Sequence, residues 1–193
     1  LRAVGYEARG VRGAQTLCAE VWEEAPGLGS LAAGLTSLPD LIADIERTIG
    51  PDGEILDSAS SELARLRLEQ AATRQGITSR LTNLMHDNSF RHLVQDELIT
   101  TRSDRFVVPV RAGAAGSKRG LVHDWSKTGA TAFLEPLEVV EDNNKLGLLR
   151  RKEKAEIERI LRRLSDQCRE AAAELLVSGA ILTHLDLILA QAR

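Results

Sequence analysis

The sequence predicts a mainly helical α+β fold: a helical base, two long antiparallel helices leaving it, and a small antiparallel β region inserted at their tip. Three observations predict it. The 193 residues are 43% hydrophobic and 27% charged but only 3% aromatic, a balance that favours helices packed along Leu and Ala seams over an all-β core. Apolar residues recur at three- and four-residue steps over two long stretches near 58–87 and 141–178, the spacing of one buried helical face. Between those stretches the rhythm falls from 3.6 to 2, the period of strands.

The front, 1–57, alternates helical stretches with breakers. Pro26, Gly27 and Gly29 separate one helix from the next, and Gly50, Pro51 and Gly53 close the region. Within it Leu35, Leu38, Leu41, Ile42, Ile45 and Ile49 mark a buried face. Asp57 and Ser58 are suitable N-caps for the outgoing rod, 58–87. Its apolar positions Ala59, Leu63, Leu66, Ile77 and Leu84 fit a seven-residue repeat, with polar Gln70 and Thr73 on the seam midway. At 1.5 Å per residue this rod is roughly 43 Å long.

The β region, 88–140, holds two hairpins. Runs 98–102 and 106–111 flank Ser103, Asp104 and Arg105, and runs 121–126 and 131–134 flank Lys127, Thr128, Gly129 and Ala130. Pro109 cannot donate to a ladder, which places its strand at an edge or a bulge. The link GAAGSKRG reads as a mobile basic loop. In the returning rod, 141–178, Ile157, Leu161, Leu164, Cys168, Ala171 and Leu175 form a second seam, and 179–193 returns to the base. The rods are expected to pack antiparallel on each other, although periodicity equally permits a partner from another chain.

No run approaches the ~20 apolar residues of a membrane span, and the first residues have no apolar signal core, so a cytoplasmic protein with no membrane partner is expected. Cys18 and Cys168 have no CxxC or His-rich context, which points to neither a disulfide framework nor a metal site. The missing initiator Met and the ending LAQAR point to a piece of a longer protein. A net charge of −3 conceals an asymmetry: 1–57 carry four basic against ten acidic residues, net −6, whereas 98–133 carry six against two, net +4. That basic patch either meets a polyanion or is a solvated strand surface.

The string GLVHDWSKTGATAFLEPLEVVEDNN, 120–144, resembles the signature of the second bacterial MutS family, MutS type II, the branch without mismatch-reading and connector domains. GEILDSASSELARLR at 53–67, TTRSDRFVVPVRA at 100–112, KEKAEIERILRRLSD at 152–166 and HLDLILAQAR at 184–193 match in the expected order. The resemblance implies that the front is part of the core domain, the rods are lever helices, and the β region is the clamp they carry. It implies a parent that continues past Arg193 into an ATPase using ATP and Mg, then a Smr nuclease domain. This segment has no GxxxxGKS or GxxxxGKT loop, so no cofactor is expected in it and no catalysis.

Candidate contact residues are Lys118, Arg119 and Lys127, followed by Arg102, Arg105 and Arg111; such side chains meet phosphates without reading bases. His123, Asp124 and Ser126 invite a triad reading, but strand neighbours point to opposite faces, and these three with Gly129 are expected to shape the second hairpin. Trp125 departs from the family, which tends to carry a small or polar residue between that Asp and Ser; it reads as a sheet residue or a stacking platform. Three functions compete. The first is a nucleic-acid clamp of a homodimeric DNA-binding ATPase and endonuclease that binds branched or mismatched DNA and suppresses homologous recombination. The others are a ribosome-quality-control factor gripping rRNA on stalled ribosomes, and a structural dimerisation spacer.

Overall fold

The computed structural model describes residues 1–20 and 25–191. Glu23 and Glu24 of the acidic front, and the last two positions of the 184–193 stretch, lie outside the described residues. The elements are α1 (Arg2–Glu20), α2 (Pro26–Ala32), α3 (Pro39–Thr48), α4 (Ser61–His86), α5 (Asn88–Arg91), β1 (Thr100–Arg102), β2 (Arg105–Arg111), β3 (Gly120–Trp125), β4 (Thr131–Pro136), α6 (Val140–Glu170) and α7 (Ala172–Gln191). This is the mainly helical α+β class predicted. The chain divides into two compact units, Leu1–Leu63 with Glu156–Arg193, and Ala64–Ala155; α4 and α6 contribute to both.

In the first unit α3 buries Leu41, Ile42 and Ile45. Leu41 and Ile45 pack on Leu164 of α6, with Cys168, Ala171 and Leu175 around them. The predicted returning seam is therefore not a single two-helix contact. From Leu164 onward it faces α3, while Ile160, absent from the predicted seam, is fully buried against Ala59 and Leu63. A straight helix drifts relative to a strict heptad, so its buried stripe turns from one neighbour to another. The rod also does not run unbroken to 178: α6 ends at Glu170, although Ala171 N–H still bonds Gln167 O and Leu175 N–H bonds Ala171 O. No Pro or Gly marks the junction.

Helix α7 corrects the reading of apolar runs. Among the described residues it is the one helix long and apolar enough to cross a bilayer by length and composition. Here its Leu185, Ile181 and Leu182 pack with Val11, Cys18 and Leu35, and its buried Ser178 Oγ accepts the Thr36 N–H. Glu7 of α1 reaches over Gly179, where a Cβ would lie 2.1 Å from Glu7 Oε1, so a larger residue there would have to displace that carboxylate.

The N-cap of α4 is Ser60, not Asp57 or Ser58, which belong to a 3-10 turn, Asp57–Ala59. Ser60 Oγ accepts the Leu63 N–H at 2.9 Å and donates to Glu156 Oε1 at 2.7 Å. The Arg159 guanidinium, followed by Ser60, holds the Glu156 carboxyl down at about 2 from the ordinary 4.5, against the opposing effect of burial. A depressed folded-state pKa contributes stability that is complete above 4.5 and lost as pH falls toward 2. Glu156→Gln is thus expected to flatten the decline of unfolding free energy between pH 4.5 and 2, read by urea titrations at each pH; an unchanged slope would show that the pair contributes nothing.

In the second unit α4 and α6 run antiparallel. The polar seam position Gln70 is buried because its amide donates to Glu153 Oε2 at 2.6 Å, while Arg67 Nε reaches Glu153 Oε1 at 2.8 Å. Burial alone would raise the Glu153 pKa, but these two bonds outweigh it and the carboxyl titrates below its ordinary range. Further along, Lys145 pairs with Glu69 and Arg80 with Asp142.

The sheet has strand order β1-β2-β4-β3, antiparallel throughout. Val108, Val110, Ala132 and Leu134 bury its inner face on Ile77, Leu81 and Met85 of α4, Phe90 of α5 and Leu146 of α6. Both predicted hairpin turns lie where expected, but only Ser103 and Asp104 form the first. Both have positive φ, 49° and 63°, the two-residue geometry that twists correctly into flanking strands. Arg150 holds this non-glycine turn by donating to Asp104 O at 2.9 Å.

Pro109 does not lie on an edge strand, since β2 sits between β1 and β4. It is tolerated because β1 has already ended at this level. Pro109 O accepts from Gln95 N–H on the side away from β4, and the missing donor faces that irregular segment rather than the ladder.

Candidate functional site

The six basic candidates do not converge. Register places Arg102, Arg105, Lys118 and Arg119 at the end of the sheet where Gly120 opposes Pro136. Arg111, opposite Thr131, and Lys127, in the β3–β4 turn, lie at the other end. The separation is the length of β3, roughly 20 Å at 3.3 Å per residue. The link 113–119 is also not a bare loop, since Ala114 and Ala115 pack on the core.

Arg105 is engaged internally. Its Nε donates to Glu135 Oε2 at 2.7 Å and its Nη2 to Asn144 Oδ1 at 2.8 Å. Arg119 donates to Ser89 Oγ at 3.2 Å, lies over the Phe90 ring and sits 3.9 Å from Glu138. Ser89 belongs to the short helix whose N-cap, Asp87, accepts the Ser89 N–H; the Ser89 hydrogen bonds hold the Asp87 carboxyl below its ordinary range. Arg102 pairs with Asp124 at 3.2 Å and lies 3.9 Å over the Phe133 ring. Lys118, Arg111 and Lys127 are exposed, and none forms an ion pair among the described residues. Of the six candidates they are the ones with no matched charge among the described residues.

His123, Asp124 and Ser126 each turn to a different partner. A β-bulge between Val122 and Asp124 breaks the strand alternation on which the sequence reading relied. His123 Nε2 lies 2.6 Å from Glu135 Oε2, Asp124 faces Arg102, and Ser126 Oγ accepts the Thr131 N–H at 3.1 Å. Of the three, Ser126 shapes the second hairpin together with Gly129, whose φ is +70°. No nucleophile, base and orienter are lined up.

The residues that sequence reasoning missed are Glu135 and Asn143. Glu135 is fully buried in β4, where His123, Arg105 and Asn143 satisfy its carboxylate; Asn143 Nδ2 reaches Oε1 at 2.7 Å. The Asn143 amide also accepts the Phe106 N–H at 3.0 Å and donates to Phe106 O at 3.1 Å. It replaces a neighbouring strand at the point where the pairing of β2 with β4 has ended, beyond Val108 and Leu134, and β2 would have bare backbone groups. The available signal was a carboxylate inside the apolar string TAFLEP with histidine and arginine on the strands around it.

Among known proteins, Endonuclease MutS2 of Geobacillus sp. WCH70 is 42% identical over 89% of this chain, and that of Thermomicrobium roseum 41% over 93%. The chain belongs to the MutS2 family. Putative endonuclease MutS2 of Bacillus subtilis is 39% identical over 92% of the chain. No family model matches. The chain spans 22% of the first two relatives' length and 23% of the third's. The MutS2 segment thus comprises the helical unit and the sheet-bearing unit, with unmatched cations at both ends of the sheet.

Proposed function

We propose that the sheet-bearing unit is the nucleic-acid clamp of a MutS2 protein and that α4 and α6 are its levers. One observation carries this reading: Lys118, Arg111 and Lys127 are exposed cations without matched charge, mounted on a sheet whose other face is anchored in a core. Cations at the two ends of a rigid sheet meet separate phosphates without reading bases, giving sequence-independent binding that weakens with salt. On this reading the parent is a DNA-binding ATPase and endonuclease acting on branched or mismatched DNA and restraining recombination. ATP and Mg would act elsewhere in the parent, whose paired copies would close two such clamps on a strand.

The test titrates the chain against four-way junction DNA, linear duplex and ribosomes over a range of salt. Changing Lys118, Arg111 and Lys127 together to alanine is expected to reduce the slope of log K against log salt by about 2 to 3, near 0.9 per lost phosphate contact. An unchanged slope would sink the contact assignment. Tighter binding to ribosomes than to junctions would move the clamp's target from DNA to rRNA.

A further inference from the structure

We infer that Trp125 is a stacking platform for one unpaired base, with Lys127, in the turn that follows it, holding an adjacent phosphate. This rests on the nucleic-acid reading above and specifies its ligand. Trp125 stands in register with Ala132, which is opposite Val110. Ala132 and Val110 are fully buried, yet the indole that ends the row is 48% exposed. β3 is the edge strand, so no further strand lies beside it. Close to half of a large flat apolar ring, 48%, is thus left open at the edge of the sheet.

The backbone carrying the ring is fixed. Trp125 N–H donates to Asp124 Oδ1 at 2.8 Å, and the turn that follows is closed by Ser126 N–H to Thr131 O and Gly129 N–H to Ser126 O, both 2.9 Å. That turn presents Lys127 two residues from the indole, whereas Arg111, the neighbour of buried Val110, leaves the opposite face of the sheet. The nearby carboxylate, Asp124, is matched by Arg102 at 3.2 Å, so it does not cancel the Lys127 charge. The combination of an open ring face with flanking positive charge suits a base whose own face is free. In a duplex those faces are occupied by stacking, so the site selects unpaired positions and tolerates any base. Lys118, a strand length away, adds only phosphate attraction.

The experiment uses the chain with Trp22→Phe, so that Trp125 alone fluoresces. An oligo-dT strand of about 20 nucleotides is expected to quench that emission on binding, and Trp125→Ala to weaken oligo-dT binding about tenfold while Trp125→Phe retains most of it. A blunt duplex of the same length is expected to bind both variants within twofold of the parent chain. Binding without quenching, or a Trp125→Ala loss equal for duplex and single strand, overturns the stacking inference and leaves the clamp standing. Absence of binding to either ligand at low salt overturns both. Circular dichroism melts confirm that each variant is folded.

Discussion

Glu135→Ala is expected to destabilise the sheet-bearing unit by roughly 3 kcal/mol, the lower end of what breaking a buried charge pair costs. The lower end applies because Arg105 keeps 24% of its side chain exposed and can recover some hydration. The loss has three parts. Arg105 Nε and His123 Nε2 lose the acceptor they share, and Asn143 loses one of the partners orienting its amide against Phe106. If that amide turns, the Phe106 N–H and carbonyl are left unpaired, at about 1 to 3 kcal/mol for each group that remains buried. Hydrogen exchange at the amides of 107–110 is the appropriate measurement, since it reports this unit alone. Protection lost throughout β2 is expected; an unchanged protection pattern would mean that apolar packing alone holds the sheet.

Phe90→Ala should cost about 3 to 5 kcal/mol, the range for truncating a buried aromatic ring. Phe90 is fully buried in the cluster uniting α4, the sheet and α6, although α5 has only four residues. So short a helix has no independent stability, and it is held by the Asp87 cap at one end and this ring within. Removing the ring also removes the surface over which Arg119 lies, so the loop before β3 is expected to loosen with it. Urea denaturation with the same exchange readout would detect both. A loss below about 1 kcal/mol would place the stabilisation of this segment elsewhere.

Some of this was legible in the residues. The two long helical periods, the switch to a period of two and the Ser103–Asp104 turn are local properties, each written in a few adjacent positions. Local periodicity also named Leu63, Leu66 and Ile77 as buried. It failed where a residue's partner lies far along the chain. Leu164 faces α3 rather than the outgoing rod, and the Ser60 cap has a second partner, Glu156, 96 positions away.

The same division holds at the site. Sequence alone determined the helical class with its β insertion, the positive balance of 98–133 and, through several ordered motifs, the family. Tertiary structure decided which cations remain unmatched, because charge matching depends on who stands opposite. Arg105 is consumed by Glu135, Arg102 by Asp124 and Phe133, and Arg119 by Ser89, Phe90 and Glu138, whereas Lys118, Arg111 and Lys127 form no ion pair among the described residues. The bulge at His123 is equally invisible to a period of two, since one extra residue reverses the faces beyond it. Periodicity records what each segment must bury; only the assembled chain shows which polar groups find one another once that burial is complete.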